Sequence, residues 1–307
     1  MRLLLQLLAG LVCILPLASN SGQVARIIIK DDADTTLTFT RPVTRIVSLA
    51  PHITEILFAI GAGEKIVGTV DYSDFPEQAK QIPVVGSGFS LDVEKITSLK
   101  PDVVIAWKGG NPDKQVEQLK NLGIPVFENE PKTINDITRS MVNFSKLTGT
   151  EVVANLEVKQ FNKRYKELKN IYSEKPAITV FYQIWHEPLM TVGGSHLISH
   201  VLEMCGAKNI FDDIDLAATK ISLESVIKRD PEAIISSESE TRADFNPLEH
   251  WQKWSELQAV KNNNLFLIPP SILQRSGPRI LEGAEAVCQH VDAARSHHAG
   301  KEPPSGE

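Results

Sequence analysis

The chain has 307 residues, of which 42% are hydrophobic and 23% are charged, and its formal net charge at pH 7 is −6. It contains no run of basic residues, so a nucleic-acid-binding role is disfavoured. Only the N-terminal segment is strongly apolar, and no later segment reaches the roughly 18 consecutive apolar residues of a membrane span.

The N-terminus predicts a secretory signal peptide over residues 1–21. Arg2 precedes an apolar run that extends to about Leu17, and small residues follow, so cleavage is expected between Ala18 and Ser21. The apolar run is too short to span a bilayer. We therefore expect an exported, soluble, periplasmic protein whose mature chain is long enough for two domains of ordinary size.

Two cysteines, Cys205 and Cys288, remain after the signal peptide is removed. Cys13 leaves with residues 1–21, and a lipoprotein anchor on it is disfavoured because Val12 stands where processing requires a small residue. An even pair of cysteines in an oxidising compartment predicts a disulfide. Two buried free thiols are the alternative.

The first half of the mature chain alternates short strands with helices. A small hairpin is predicted over residues 22–44, and an N-terminal α/β lobe over residues 45–133. Strands are predicted at 45–51, 65–70, 102–107 and 124–129, and helices at 54–60, around Glu94 and at 112–122. This alternation is typical of a parallel α/β sheet.

A helical segment is predicted over residues 134–176. It has no strand pattern, and the stretch 152–172 carries apolar residues at helical spacing. At 1.5 Å per residue this stretch is about 32 Å long, close to the diameter of a lobe. Because it lies between two α/β halves, we expect it to be a rigid connector.

The α/β pattern resumes in a C-terminal lobe over residues 177–297. Strands are predicted at 178–185, 232–237 and 265–270, and helices at 196–206, around Glu224, at 246–258 and at 279–297. The polar tail at 298–307 is expected to be disordered. The predicted fold class is α/β, with two Rossmann-like lobes that contain parallel sheets and are joined by a single long α-helix.

An internal repeat relates the two lobes. The segment LDVEKITSLKPDVVIA (91–106) recurs as ISLESVIKRDPEAIIS (221–236), and the fourth residue of each copy is a glutamate, Glu94 or Glu224. Each copy reads as a capped amphipathic helix, a break at proline and an apolar strand. Two equivalent surface carboxylates suit docking on a two-fold symmetric partner. The alternative is that each glutamate only complements a helix dipole.

The sequence contains no GxSxG, P-loop or HExxH motif. His196 and His200 have the i,i+4 spacing of a metal-binding pair, and His52 and His186 follow predicted strands. These histidines leave a metal-dependent hydrolase as an alternative. No nucleophile with an adjacent base stands out, so we expect neither an enzyme nor a resident metal.

Four aromatic residues and one arginine fall in loops after predicted strands, where open α/β sheets bind ligands. They are Tyr72, Phe89, Trp107, Trp185 and Arg275. Each alone could be structural; Trp107, for example, could cap a core. Together they predict an aromatic-lined cleft with one cationic anchor, suited to a large, flat, partly polar ligand.

Several segments together resemble class III periplasmic substrate-binding proteins of ABC importers, and most nearly the cobalamin (vitamin B12)-binding members. The similarity extends from about residue 45 to residue 290. It is strongest in RIVSLAPHITEILFAIGAGEKIVG (45–68), YSDFP (72–76), KPDVVIAWKGGN (100–111), VLEMCGAKNIF (201–211) and SGPRI (276–280).

The resemblance implies that cobalamin is bound as a transported ligand and not as a cofactor. It implies that Tyr72, Trp107 and Arg275 contact this ligand. It further implies that Glu94 and Glu224 meet arginines on the inner-membrane permease dimer. The two remaining cysteines would pair in the C-terminal lobe, the long helix would limit lobe movement, and the protein would act as a monomer.

Three positions depart from the family pattern. A cleft tryptophan aligns with Gly88, next to Phe89, which could substitute for it. A second tryptophan aligns near Ala218, and the acidic residue expected four positions before Arg275 is Ser271. The wall that faces the corrin ring is therefore expected to be altered.

Trp185 and Met190 could supply part of the missing wall. The alternative ligands of the same fold are haem and a ferric siderophore. For these, Tyr72 or His52 could ligate iron and Arg275 could hold a carboxylate.

Overall fold

The computed structural model describes residues 26–237 and 245–299. The predicted signal peptide lies outside these ranges, as do residues 300–307 of the predicted tail. Residues 298 and 299 end the last helix, so this helix extends two residues beyond the predicted boundary. Within the described ranges, no helix combines the length and apolar character that crossing a bilayer requires.

A leading hairpin packs on the first lobe. It pairs β1 (Ile27–Lys30) with β2 (Thr36–Phe39) in antiparallel register. Its turn is anchored because Asp31 Oδ2 accepts a hydrogen bond from the Glu128 N–H at 3.1 Å and Asp32 Oδ2 accepts one from the Glu130 N–H at 2.6 Å. The hairpin is thus fixed at the end of the last strand of the first lobe.

The first lobe is a four-stranded parallel sheet with the strand order β4-β3-β5-β6. Its elements are β3 (Ile46–Ser48), α1 (Pro51–Ala59), β4 (Ile66–Gly68), α2 (Val93–Ser98), β5 (Val103–Trp107), α3 (Asp113–Asn121) and β6 (Val126–Asn129). Neighbouring strand residues such as Ile46 and Val47 are fully buried in separate cores, one on each face of the sheet. This two-sided burial is what a parallel sheet covered by helices requires.

Two helices follow the first lobe along the chain, and the second, with 22 residues, is the long helix predicted between the lobes. The helix α4 (Ile134–Thr148) begins with a capping box and ends at Gly149, whose φ of 71° suits glycine. The helix α5 (Glu151–Tyr172) has 22 residues and is therefore about 33 Å long. Its buried residues, Ala154, Phe161 and Leu168, repeat every seven positions and form one narrow stripe.

The second lobe contains β7 to β12 and α6 to α10. In chain order they are β7 (Ile178–His186), β8 (Leu189–Val192), α6 (Leu197–Met204), β9 (Ala207–Asn209), β10 (Ala218–Lys220), α7 (Leu223–Arg229), β11 (Ala233–Ser236), α8 (Gln258–Lys261), β12 (Leu265–Leu267), α9 (Pro270–Leu273) and α10 (Ile280–Ala299). The sheet order is β10-β8-β7-β11-β12, and β9 pairs in parallel with the start of β7.

Two features of the second lobe differ from the sequence prediction. Strand β8 runs antiparallel to both of its neighbours, β7 and β10, because the chain folds back after β7 through Glu187 and Pro188. The predicted helix over 246–258 is wrong: a 3-10 turn at Glu249–Lys253 and the short α8 replace it. Here Trp251 is fully buried and donates its indole N–H to Gln183 Oε1 at 2.7 Å, which fixes an irregular path.

The predicted disulfide is confirmed. Cys205, at the end of α6, is bonded to Cys288 in α10, and both residues are fully buried. The predicted α/β class is confirmed as well, with one sheet in each lobe and a long helix between them.

Candidate ligand-binding cleft

The carboxyl ends of both sheets meet at the boundary between the lobes. Arg275, which follows β12, lies 2.9 Å from Glu55 in α1 and 2.7 Å from Asp74 in the loop after β4. Carboxyl ends of parallel strands are where open α/β sheets place their ligands. The five predicted cleft residues all lie at strand ends or in loops, and the ion pairs of Arg275 cross this boundary.

Tyr72 extends from the turn after β4 and is 80% exposed. Its φ is 63°, a left-handed conformation that is unusual for a bulky residue. A hydrogen bond from the Ser73 N–H to the Val70 carbonyl holds the turn. Backbone strain of this kind costs on the order of 1–3 kcal/mol and tends to persist at functional sites. The turn therefore holds an aromatic ring in solvent, two residues before Asp74, which pairs with Arg275 of the other lobe.

Trp107 ends β5 and is 40% exposed. Its indole meets the imidazole of His52 edge-on, with ring centroids 5.5 Å apart. A Cβ atom on Gly110 would lie 2.0 Å from the indole, so only glycine lets the turn pack against the ring. Asn111 ties this turn to the sheet, because it accepts from the Trp107 N–H and donates to the Leu49 carbonyl.

Phe89 is 92% exposed in the loop that Gly86 and Leu91 close, and the Gly86 carbonyl accepts from the Asp71 N–H. The segment that precedes this loop pairs in parallel with the end of β4 through Val84 and Thr69, so it reaches the same edge of the sheet. A Cβ atom on the neighbouring Gly88 would meet no atom within 4 Å. The position that the family pattern gives to a tryptophan is open space here.

The β7–β8 hairpin carries the predicted ligand-binding residue of the second lobe, Trp185. Trp185 is 43% exposed, and its indole N–H donates to the Glu187 carbonyl at 2.8 Å. Trp185 pairs across the hairpin with Met190, which places both side chains on one face. Ala218 is exposed on β10 and pairs with Val192. Trp185 and Met190 thus form an apolar patch on one face of the hairpin.

Arg275 lies in an ion cluster that sequence analysis did not anticipate. Ser271 stands where the family pattern has an acid, and the carboxylates beside Arg275 come instead from Glu55 and Asp74 of the other lobe. The side chain of Glu55 is 2% exposed and also accepts two hydrogen bonds from Arg279, at 3.0 and 2.6 Å. The cluster therefore contains two guanidinium groups and two carboxylates, which balance in charge.

One signal for this cluster was present in the sequence. Glu55 is a lone carboxylate in the apolar helix segment PHITEILFA, and a buried carboxylate requires a cationic partner. Arg279 also lies over the ring of Phe75, with 4.0 Å between the guanidinium carbon and the ring centroid. The segments YSDFP and SGPRI thus meet across the lobes.

Within residues 26–237 and 245–299, the four histidines considered as metal ligands belong to no group of three or more His, Cys, Asp or Glu residues that could hold a metal ion. Burial lowers the pKa of His52 to about 4, so its imidazole is neutral at physiological pH. Burial likewise lowers the pKa of His196 to about 4, and its Nδ1 accepts from the Ile198 N–H as a cap of α6. His200 lies 3.8 Å from Glu203, and the ring of His186 is tilted by 37° against that of Trp185, with centroids 5.8 Å apart.

Glu94 and Glu224 occupy equivalent positions on α2 and α7. Each lies in the first turn of its helix, two residues after the N-cap, and is exposed. The residues two positions later, Ile96 and Val226, are fully buried and anchor the helices. No salt bridge to either glutamate occurs within residues 26–237 and 245–299. Hydrogen bonds from its own backbone and from Ser222 hold the pKa of Glu224 below its ordinary value.

Two α/β lobes, a long helix between them and exposed aromatic residues at the carboxyl ends of strands in both sheets are typical of a substrate-binding protein. The chain belongs to the periplasmic binding protein family, whose model matches residues 46–272. It is 34% identical to the vitamin B12-binding protein of Vibrio cholerae over 255 residues, which are 83% of this chain and 91% of that protein.

Solved structures share the fold. The periplasmic vitamin B12-binding protein of Vibrio cholerae matches with a TM-score of 0.76 and 34% identity, over 83% of this chain and 98% of that one. A periplasmic heme-binding protein from Roseiflexus matches with a TM-score of 0.73 and 21% identity, over 81% of this chain and 98% of that one. At this lower identity the second match shows the fold alone.

Proposed function

We propose that this protein captures cobalamin in the cleft between its lobes. The observation that carries this proposal is the charge balance around Arg275, the predicted cationic anchor. Arg275 is paired with Glu55 and Asp74 at 2.9 and 2.7 Å, while Tyr72 and Trp107 expose aromatic surface nearby. A cleft of this kind suits a large, flat ligand of low net charge with a rim of uncharged amides, which describes cobalamin. The 34% identity to a vitamin B12-binding protein supports the same ligand.

Haem is the less favoured ligand on the same observation. Haem carries two propionates, and a buried carboxylate requires a cation whose charge is not already neutralised by another anion. The positive charge of Arg275 is already shared between two carboxylates. His52, which could ligate iron, is 4% exposed and lies behind Trp107.

The protein would act in the periplasm as the receptor of an ABC importer. It would bind as a monomer, without covalent chemistry, and deliver the ligand to the permease dimer in the inner membrane. Glu94 and Glu224 would each contact one permease subunit, because two equivalent carboxylates on α2 and α7 match a two-fold symmetric surface.

Isothermal titration of the mature protein with cyanocobalamin, with haemin in parallel, tests the proposed ligand. We expect stoichiometric, tight binding of cyanocobalamin and weaker binding of haemin. Binding of haemin alone would keep the fold but overturn cobalamin as the ligand.

Removal of the Trp107 ring is expected to weaken cyanocobalamin binding about thirtyfold, because a central aromatic contact contributes about 2 kcal/mol to a binding site. The variant is Trp107→Ala, and the measurement is the dissociation constant. Trp254→Ala is the matched control: Trp254 is 39% exposed, against 40% for Trp107, but lies on the segment that leads into α8. Equal losses of affinity in both variants would mean that Trp107 does not contact the ligand.

Introduction of a tryptophan at Gly88 is expected to raise the affinity for cyanocobalamin about twofold to twelvefold, since a ring contact adds about 0.5–1.5 kcal/mol beyond area burial. The site can accept the side chain because a Cβ atom there meets nothing within 4 Å. Gly88→Ala separates the effect of the ring from that of a stiffer loop. An affinity unchanged in Gly88→Trp would contradict a ligand position against this loop.

A further inference from the structure

Arg275 shares one nitrogen between two carboxylates. Its Nη1 donates to Glu55 Oε1 at 2.9 Å and to Asp74 Oδ1 at 2.7 Å. Within the described part of the chain, Nε and Nη2 donate to no protein acceptor. The guanidinium thus retains donors for a ligand carbonyl although its charge is paired.

The two carboxylates have different roles in the cluster. Glu55 is buried and accepts both hydrogen bonds of Arg279, so its single charge is shared between two guanidinium groups. Two cations and one buried anion would leave one positive charge at the cleft, and Asp74 balances it. The side chain of Asp74 is 49% exposed. Burial acts to raise the pKa of Asp74, but the hydrogen bond and charge of Arg275 outweigh this effect and hold it below the ordinary value.

We infer that Asp74 is a specificity-determining residue that masks the charge of Arg275, so that the cleft selects an amide rim over a carboxylate rim of the same shape. This inference rests on the proposed function, because the amide-rimmed ligand it concerns is cobalamin. Asp74 acts by repulsion: it makes a carboxylate unfavourable where an amide carbonyl can still accept from the free donors. Discrimination by an added unfavourable term is a general route to specificity.

The test replaces Asp74 and compares ligands that differ only in charge. The variant is Asp74→Asn, which removes the negative charge. Asp74→Ala removes the same charge without introducing an amide group. The probes are cyanocobalamin and its monocarboxylic acids, in which one propionamide has been hydrolysed to a carboxylate. We expect the wild type to prefer cyanocobalamin over at least one monocarboxylic acid. The dissociation constant of that monocarboxylic acid divided by that of cyanocobalamin measures the preference. In both variants, this ratio should fall at least tenfold.

Asp71→Asn is the matched control. Asp71 is exposed in the same loop, and its substitution removes the same charge as that of Asp74. Asp71 forms no ion pair with a residue in the described ranges. Its substitution should change the ratio less than twofold. An equal fall in the Asp71 and Asp74 variants would mean that overall charge sets the preference, and no fall in the Asp74 variants would equally overturn the inference.

Haemin provides a test that does not depend on cobalamin binding. Its two propionates should gain at least tenfold in affinity for Asp74→Asn relative to Asp71→Asn. If the wild type failed to bind cyanocobalamin but this gain appeared, the proposed ligand would be wrong and the masking role of Asp74 would stand. If cyanocobalamin bound tightly and the gain was absent, the masking role alone would be wrong.

Discussion

Charge reversal at both Glu94 and Glu224 is expected to reduce cobalamin uptake to background while leaving the affinity of the isolated protein for cyanocobalamin within about twofold, because distant sites act independently. The glutamates lie on α2 and α7, exposed and without a salt bridge in the described ranges. Lysine at these positions would face the arginines proposed on the permease. Like charges placed together at an interface cost several kcal/mol.

The measurement is uptake of labelled cyanocobalamin into cells or proteoliposomes that contain the cognate permease, with Glu94→Lys, Glu224→Lys and the double variant compared. Each single reversal should lower uptake at least tenfold, corresponding to about 1.4 kcal/mol or more. Equal losses in the two single variants would support a symmetric contact. Loss in only one would restrict docking to one lobe.

A matched pair of reversals on α5 separates docking from helix stabilisation. Glu151 lies in the first turn of α5, as Glu94 and Glu224 do in their helices, and Glu167 is 58% exposed on the same helix. Glu151→Lys with Glu167→Lys makes the same change in net charge and removes a first-turn carboxylate. We expect uptake to continue in this control. Full uptake by the Glu94/Glu224 double variant would instead mean that both glutamates only complement the dipoles of their helices and do not dock on the permease.

The features that the sequence predicted well are local and repeated. Each copy of the internal repeat carries its own cap, helix and strand, so α2 and α7 could be located without tertiary information. Asp92 and Ser222 do cap them, by accepting from the N–H three residues later. The strands that follow, β5 and β11, are buried on both faces and therefore read as continuous apolar runs.

The features that the sequence did not reveal depend on contacts between distant segments. The antiparallel β8 follows from a reversal after His186, and the irregular path near Trp251 follows from its buried hydrogen bond to Gln183. The partners of Arg275 lie 220 and 201 positions away along the chain. No local pattern encodes such separations, although the lone carboxylate at Glu55 indicated that a buried cation was required.

Loss of the disulfide is expected to lower the free energy of unfolding by about 4 kcal/mol, because it closes a loop of 83 residues in the unfolded chain. The variant is Cys205→Ala with Cys288→Ala, since serine would bury two hydroxyl groups without assured partners. Both cysteines are fully buried, so alanine removes only the sulfur atoms and the cross-link. The measurement is denaturant unfolding followed by tryptophan fluorescence.

Fluorescence reports mainly on the lobe that the disulfide constrains. Of the four tryptophans in the chain, Trp185, Trp251 and Trp254 lie in the second lobe, as do both cysteines. Dithiothreitol should therefore shift the midpoint of the wild type towards that of the double alanine variant and leave the variant itself unchanged. A wild-type midpoint that did not move on full reduction would mean that the packing of α6 on α10 holds this lobe without the covalent link. The oxidising compartment would then add nothing to the stability of this lobe, although it allows the disulfide to form.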